Sequence, residues 1–247
     1  MSFSNNQSQF LTDKILEVID NAKKFEKGKK IDALRKIAEN YNKKEYHTNP
    51  NPLPLKIRAT GETAYQRAIF NSRKTQISSL GEIVWNDIEL PVVFNEKPRK
   101  RCVDIIGTLN DKTSVLCELK FASKKSNSNS PIYAVIELLI YYYLIKDNYE
   151  ALDEKNVFHK NKQVNPFKWK DFNQNSIFIV GANEKYWTYW QKRYEKRKNE
   201  VESWCSSLPL TIQFFSSADF DFEEQKGTEE EYEPSVFDKT EWTEVYL

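Results

Sequence analysis

The stretch RCVDIIGTLNDKTSVLCELKF, residues 101–121, limits the fold more than any other part of the chain. It reads as two apolar strands, Arg101 to Leu109 and Thr113 to Phe121, joined by the turn-forming triplet Asn110, Asp111 and Lys112. Three charges interrupt strands that otherwise look buried: Asp104, Glu118 and Lys120. Side chains alternate along a strand, so Glu118 and Lys120 share one face while Leu119 points to the other. A three-residue turn pairs Leu109 with Thr113, and five steps back and five forward from that pair Asp104 faces Glu118. Opposed residues share one side of a sheet with Cβ atoms about 4.5–5.5 Å apart. A bulge at the turn would slide the register by one and still leave the two carboxylates as neighbours.

Two facing carboxylates repel, and burying them unpaired costs on the order of several kcal/mol, so a divalent cation is the natural partner. Hard oxygen ligands select magnesium or manganese over zinc. Such a cation can polarise a phosphate oxygen and lower the proton affinity of a bound water, which provides a nucleophile for phosphodiester hydrolysis. Lys120 would orient that water or stabilise charge developing on phosphorus. The bland alternative is a buried structural ion pair, or a site that has lost turnover. Glu-x-Lys alone carries little weight, since Glu224-Gln225-Lys226 repeats it with no strand around it.

Around this hairpin the chain divides into an N-terminal helical extension (1–46), a Pro-rich linker (47–55), a core (56–218) and an acidic tail (219–247). Leu11, Ile15, Val18, Ile19 and Ala22, then Ile31, Leu34, Ile37, Ala38 and Tyr41, recur at helical spacing with Gly28 between them. HTNPNPLPL, with its three prolines, favours an extended linker. The core is expected to open with a helix over Glu62 to Leu80, ended by Gly81, followed by a strand from Val84 to Phe94 and then the hairpin. Ser130-Pro131 starts a helix reaching about Ile145; SIFIV, 176–180, reads as a buried strand. One helix is expected to carry Trp187, Trp190, Tyr194, Val201 and Trp204, with Lys192, Arg193, Lys196, Arg197 and Lys198 on its remaining surface, before a last strand from Leu210 to Phe215. This order predicts a mixed α/β fold with at least one parallel crossover.

The net charge of +1 hides an asymmetry. From Asp219 onward eleven acids stand against two bases, a charge of −9, which leaves +10 for the rest of the chain. A body of that charge attracts polyanions, and the tail could either lie in a basic groove or remain a solvated end. Lys97, Arg99, Lys100 and Arg101, with Lys124 and Lys125, bracket the hairpin charges and suit phosphate contacts, or else protect a strand edge. The Trp and Tyr residues from 187 to 204 read as core in preference to a base-stacking platform. Cys102, Cys117 and Cys205 lack CxxC spacing and suit small thiols in a reducing cytoplasm. A secretory leader is not expected at the polar N-terminus, and the apolar run Pro131 to Ile145, which carries Glu137, is too short and too charged for a bilayer span. His47 and His159 suggest no role.

An Asp on one strand followed by Glu-x-Lys on its hairpin partner, flanked by helices, resembles the PD-(D/E)XK nuclease superfamily. The matching residues are Asp104 and Glu118-Leu119-Lys120, and in element order the resemblance covers roughly residues 60 to 216. Val103 stands where the family name has Pro. The resemblance implies a restriction-endonuclease-like sheet flanked by helices and magnesium-dependent cleavage of DNA, with RNA or a non-catalytic binding or assembly role as alternatives. It also implies a link to restriction or defence and pairing into homodimers. Glu62, at the start of the first core helix, is similar in place to an extra metal-binding Glu in some members, although acids favour any helix start. Glu137 and Tyr141 look like a Gln-x-x-x-Tyr feature of recombination-type members, with Glu replacing Gln.

Overall fold

The computed structural model describes residues 5–26, 29–39, 61–92, 102–124, 127–154, 156–158, 168–219 and 241–247. The linker 47–55, both histidines, most of the tail and the basic residues Lys97, Arg99, Lys100, Arg101 and Lys125 lie outside that set.

Helices α1 (Asn5–Ala22) and α2 (Lys29–Glu39) form where the apolar spacing predicts. Helix α3 spans Glu62–Ser72, shorter than expected. Arg73 adopts a left-handed conformation (φ 65°), and Lys74–Ile77 becomes strand β1, its side chains alternating between exposed and buried. The period of two in Lys-Thr-Gln-Ile wins over the helical reading because β2 (Gly81–Pro91) lies antiparallel beside it and pairs its backbone. Gly81 (φ 116°) ends no helix; it closes the turn between β1 and β2. Strands β3 (Cys102–Leu109) and β4 (Thr113–Lys120) follow, and Leu109 faces Thr113 with no slip in register. Asn110 and Asp111 absorb the tight turn with positive φ, a conformation these two residue types tolerate.

Helix α4 (Pro131–Glu154) runs well past Ile145, because Asn148 and Leu152 continue its buried side beyond the apolar run. Ser130 caps it, its hydroxyl accepting the Tyr133 N–H at 3.2 Å. Ser130→Ala is expected to cost about 1–2 kcal/mol in denaturant unfolding, the range for losing such a cap. Strand β5 (Ile177–Asn183) lies parallel to β4, and β6 (Ile212–Ser217) lies parallel to β5. The connection between them is broken into α5 (Glu184–Tyr194), a 3-10 turn over Glu195–Arg197 and α6 (Lys198–Ser206), where one helix was expected. Trp187, Trp190, Tyr194, Val201 and Trp204 are core residues, as their spacing predicts, and Tyr186 joins them; Tyr189, read as core with the other aromatics of this stretch, is exposed.

The result is a mixed α/β protein, but its sheet is not open. Strand β7 (Glu241–Glu244) pairs parallel with β1 and antiparallel with β6, which closes the strands in the order β1 to β7 into a barrel. The expectation of a restriction-endonuclease-like sheet is corrected here, and the end of the tail, read as lying in a basic groove or remaining solvated, enters the core: Trp242 is 1% exposed and Leu247 is buried. Trp242 sits against Trp85 and covers Gly181, where a Cβ would approach its ring to 2.6 Å.

Two apolar clusters occupy the two faces of the sheet. Leu116, Phe178, Val180 and Ala182 face α4 and α5, and α1 and α2 extend that layer through Ile15, Ile19, Ile31 and Leu34. The alternating residues Val115, Cys117, Leu119 and Ile179 face α3, Trp85 and Trp242. Among the described residues no helix is long and apolar enough to cross a membrane.

Candidate active site

The alternation that puts Leu116 against α4 puts Glu118 and Lys120 on the same face, and Asp104 shares it with Ile106. The β3–β4 ladder runs from Leu109↔Thr113 to Ile105↔Cys117 and stops one step before Asp104 and Glu118, while β3 continues beside β2 through Val103 and Cys102. The two strands therefore part at Asp104. Its carboxylate turns into the opening, where Oδ2 accepts the Leu119 N–H at 2.8 Å.

Lys120 donates to Glu118 Oε1 at 2.7 Å and to Glu137 Oε2 at 3.2 Å. Glu118 and Lys120 are each 3% exposed. The second oxygen of Glu118, Oε2, is buried with no hydrogen-bond partner, a costly state for a carboxylate. Burial, then the neighbouring Asp104, holds the Glu118 carboxyl well above its usual range. Burial pushes Asp104 up to about 7; Lys120 opposes that rise, and Glu62 and Glu137 add to it. Burial alone would lower Lys120, but Glu118, Glu137, Glu62 and Asp104 together hold its ammonium well above the ordinary lysine range. Burial, with Glu137 and Glu118 nearby, likewise raises the Tyr141 phenol. One ammonium is thus set among four carboxyl groups, and the raised values of two of them show that burial opposes their ionisation.

Asp104, Glu118 and Lys120 lie near one another, although Asp104 and Glu118 are not paired in the ladder as the hairpin register had them; Glu62 lies close enough to act on Asp104 and Lys120, and Glu137 touches Lys120 directly. Of the basic residues proposed for phosphate contact, only Lys124 is described, exposed just after β4. Among the described residues, no three His, Cys, Asp or Glu side chains converge closely enough to enclose a metal ion.

Several residues that shape the site escape sequence reasoning. Asn183 is fully buried at the end of β5. Its amide accepts the Ala122 N–H at 2.8 Å and donates to the Ala122 carbonyl at 2.9 Å, extending the β4–β5 pairing beyond Lys120↔Ala182. An Asn before a helix reads as a cap, yet this side chain makes no cap bond. Asp219 supplies that bond instead, Oδ1 accepting the Lys185 N–H at 2.9 Å. Ser128 grips the Phe121 backbone through both its hydroxyl and its N–H, and the Tyr186 hydroxyl donates to the Asn129 carbonyl. The connection from Lys120 to α4 is therefore tied down at several points.

Comparison with protein-family models, curated proteins and solved structures finds no match to this chain.

Proposed function

We propose that this chain is a metal-dependent nuclease that hydrolyses phosphodiester bonds, in DNA before RNA. The observation that carries the reading is the arrangement of Asp104 and Glu118-x-Lys120 on one face of two parting strands, with one buried carboxylate oxygen left without a partner. A hard cation fits this donor set: oxygen ligands only, more carboxyl groups than Lys120 can pair, and the orphaned Glu118 Oε2, whose ionised form a cation would favour. Asp104 and Glu118 would hold magnesium or manganese, with Glu62 as a further ligand. When bound, the cation supplies Lewis acidity toward a phosphate oxygen and a more acidic water.

Lys120, kept charged by its carboxylate neighbours, orients the attacking water or stabilises the negative charge gathering on phosphorus. Lys124 on the exposed turn contributes a phosphate contact.

The test is incubation of the full chain with plasmid, linear and single-stranded DNA and with RNA of matched sequence, each with magnesium, manganese or chelator. Cleavage that appears with the metal and disappears with chelator is expected. Hydrolysis that persists in chelator, or the absence of cleavage on every substrate, overturns the reading; cleavage confined to RNA moves the substrate class.

A further inference from the structure

The pairing of Lys120 with two carboxylates has a consequence for how the site takes up a cation, and it rests on the metal-dependent reading above. Lys120 Nζ lies 2.7 Å from Glu118 Oε1, so it holds one of the two oxygens that Glu118 could offer a cation. The pair shares one strand face and is almost fully enclosed, so water cannot take the place of either partner cheaply. Glu118 can therefore give both oxygens to a cation only if Lys120 lets go.

Glu137 offers Lys120 a second partner. It stands on α4, 3.2 Å from the same ammonium, and contacts Lys120 from outside the hairpin. Its position relative to Lys120 is fixed by the tied connection: Asn183 on Ala122, Ser128 on Phe121 and the Ser130 cap at the start of α4. An ammonium released by Glu118 keeps one buried carboxylate and so is not left unpaired.

We infer that Lys120 competes with a cation for Glu118, and that Glu137 is a positioning residue that holds Lys120 once Glu118 turns to the cation. Glu137 acts on the site through Lys120, not as a metal ligand.

Binding of Mn²⁺ to the full chain, measured by calorimetry and by the electron paramagnetic resonance of the free ion, tests this without any substrate. Four proteins form a double-mutant cycle: wild type, Lys120→Met, Glu137→Gln and the double variant. Lys120→Met is expected to tighten Mn²⁺ binding about tenfold or more, because the competing cation is gone. Glu137→Gln is expected to weaken binding about tenfold where Lys120 is present and by less than about twofold in the Lys120→Met background. Circular dichroism establishes that each variant is folded, and Lys120→Gln replaces Lys120→Met in the cycle if the latter is not. Equal weakening by Glu137→Gln in both backgrounds would mean that Glu137 acts on the cation directly, and it overturns the inference. Binding that Lys120→Met leaves unchanged or weaker overturns it too. Both of those results leave the metal reading standing, whereas failure of every protein to bind Mn²⁺ removes the metal reading as well.

Discussion

Asp104→Asn is expected to abolish metal-dependent hydrolysis, lowering kcat/KM by about a thousandfold or more, and at the same time to make the metal-free protein more stable. Both effects have one origin. Asp104 is held beside Glu118, with Glu62 and Glu137 near, in a place where its charge is poorly solvated, and its carboxyl titrates at about 7. In the unfolded chain the same group titrates near about 3.9. The folded state therefore binds this proton more tightly than the unfolded one. The resulting stability is fully present below about pH 4 and is lost as pH rises through about 7. For one such group the change amounts to a few kcal/mol as an order of magnitude.

An asparagine keeps the shape, and its side-chain oxygen can still accept the Leu119 N–H, but it has no charge to desolvate. Unfolding in denaturant with chelator, at pH 5 and at pH 8, should show wild type losing stability between the two while Asp104→Asn loses much less. At pH 8 the variant should be the more stable protein. If it is instead less stable there, Asp104 serves the fold as a structural ion-pair member, and the assignment to catalysis loses its main physical support. Magnesium should reverse the order by stabilising wild type alone, through binding to the folded state.

Trp242→Ala should destabilise the protein by about 3–5 kcal/mol, the range for removing a buried aromatic ring that its surroundings cannot replace. Trp242 is the residue through which β7 enters the core: it packs on Trp85 and fills the space that Gly181 leaves by lacking a side chain. The pairing of β7 with β1 and with β6 extends over two residues on each side, so backbone bonds alone hold it weakly. Gly181→Ala tests the same contact from the opposite side. Its new Cβ would meet the tryptophan ring at 2.6 Å and the Leu119 side chain at 3.1 Å, for an expected cost of about 1–3 kcal/mol. Thermal unfolding of both variants checks the pair, and an unchanged midpoint in Trp242→Ala would show that closure of the sheet contributes nothing to stability.

The hairpin was legible because the turn is short and its strands are strongly apolar. With three residues between Leu109 and Thr113, one register satisfies both the turn and the burial of Ile105, Ile106, Leu116 and Cys117, and it ends one step short of Asp104 and Glu118, leaving both on one face. Asn183, by contrast, carries the local signature of a helix cap, and only the position of Ala122, just past the end of β4, turns its amide to another use. Glu137 was the hardest to read. Helix α4 is buried on nearly every side from Pro131 to Ile145, so it shows no polar face from which the direction of one charged residue could be inferred.

Strand β1 and strand β7 failed to declare themselves for a related reason. Each is four residues long, and a pattern that short agrees equally well with the end of a helix or with an acidic tail. The amino-acid sequence by itself determined the local features that repeat within one element: the two strands of the hairpin, the turn between them, the capped start of α4 and the common face of Glu118 and Lys120. Tertiary structure alone decided the contacts between elements distant along the chain: Glu137 on Lys120, Asn183 on Ala122, and β7 closing the sheet. Alternation and turn geometry are set by neighbouring residues. The partner that a buried charge or an open strand edge finds depends on the packing of the whole core.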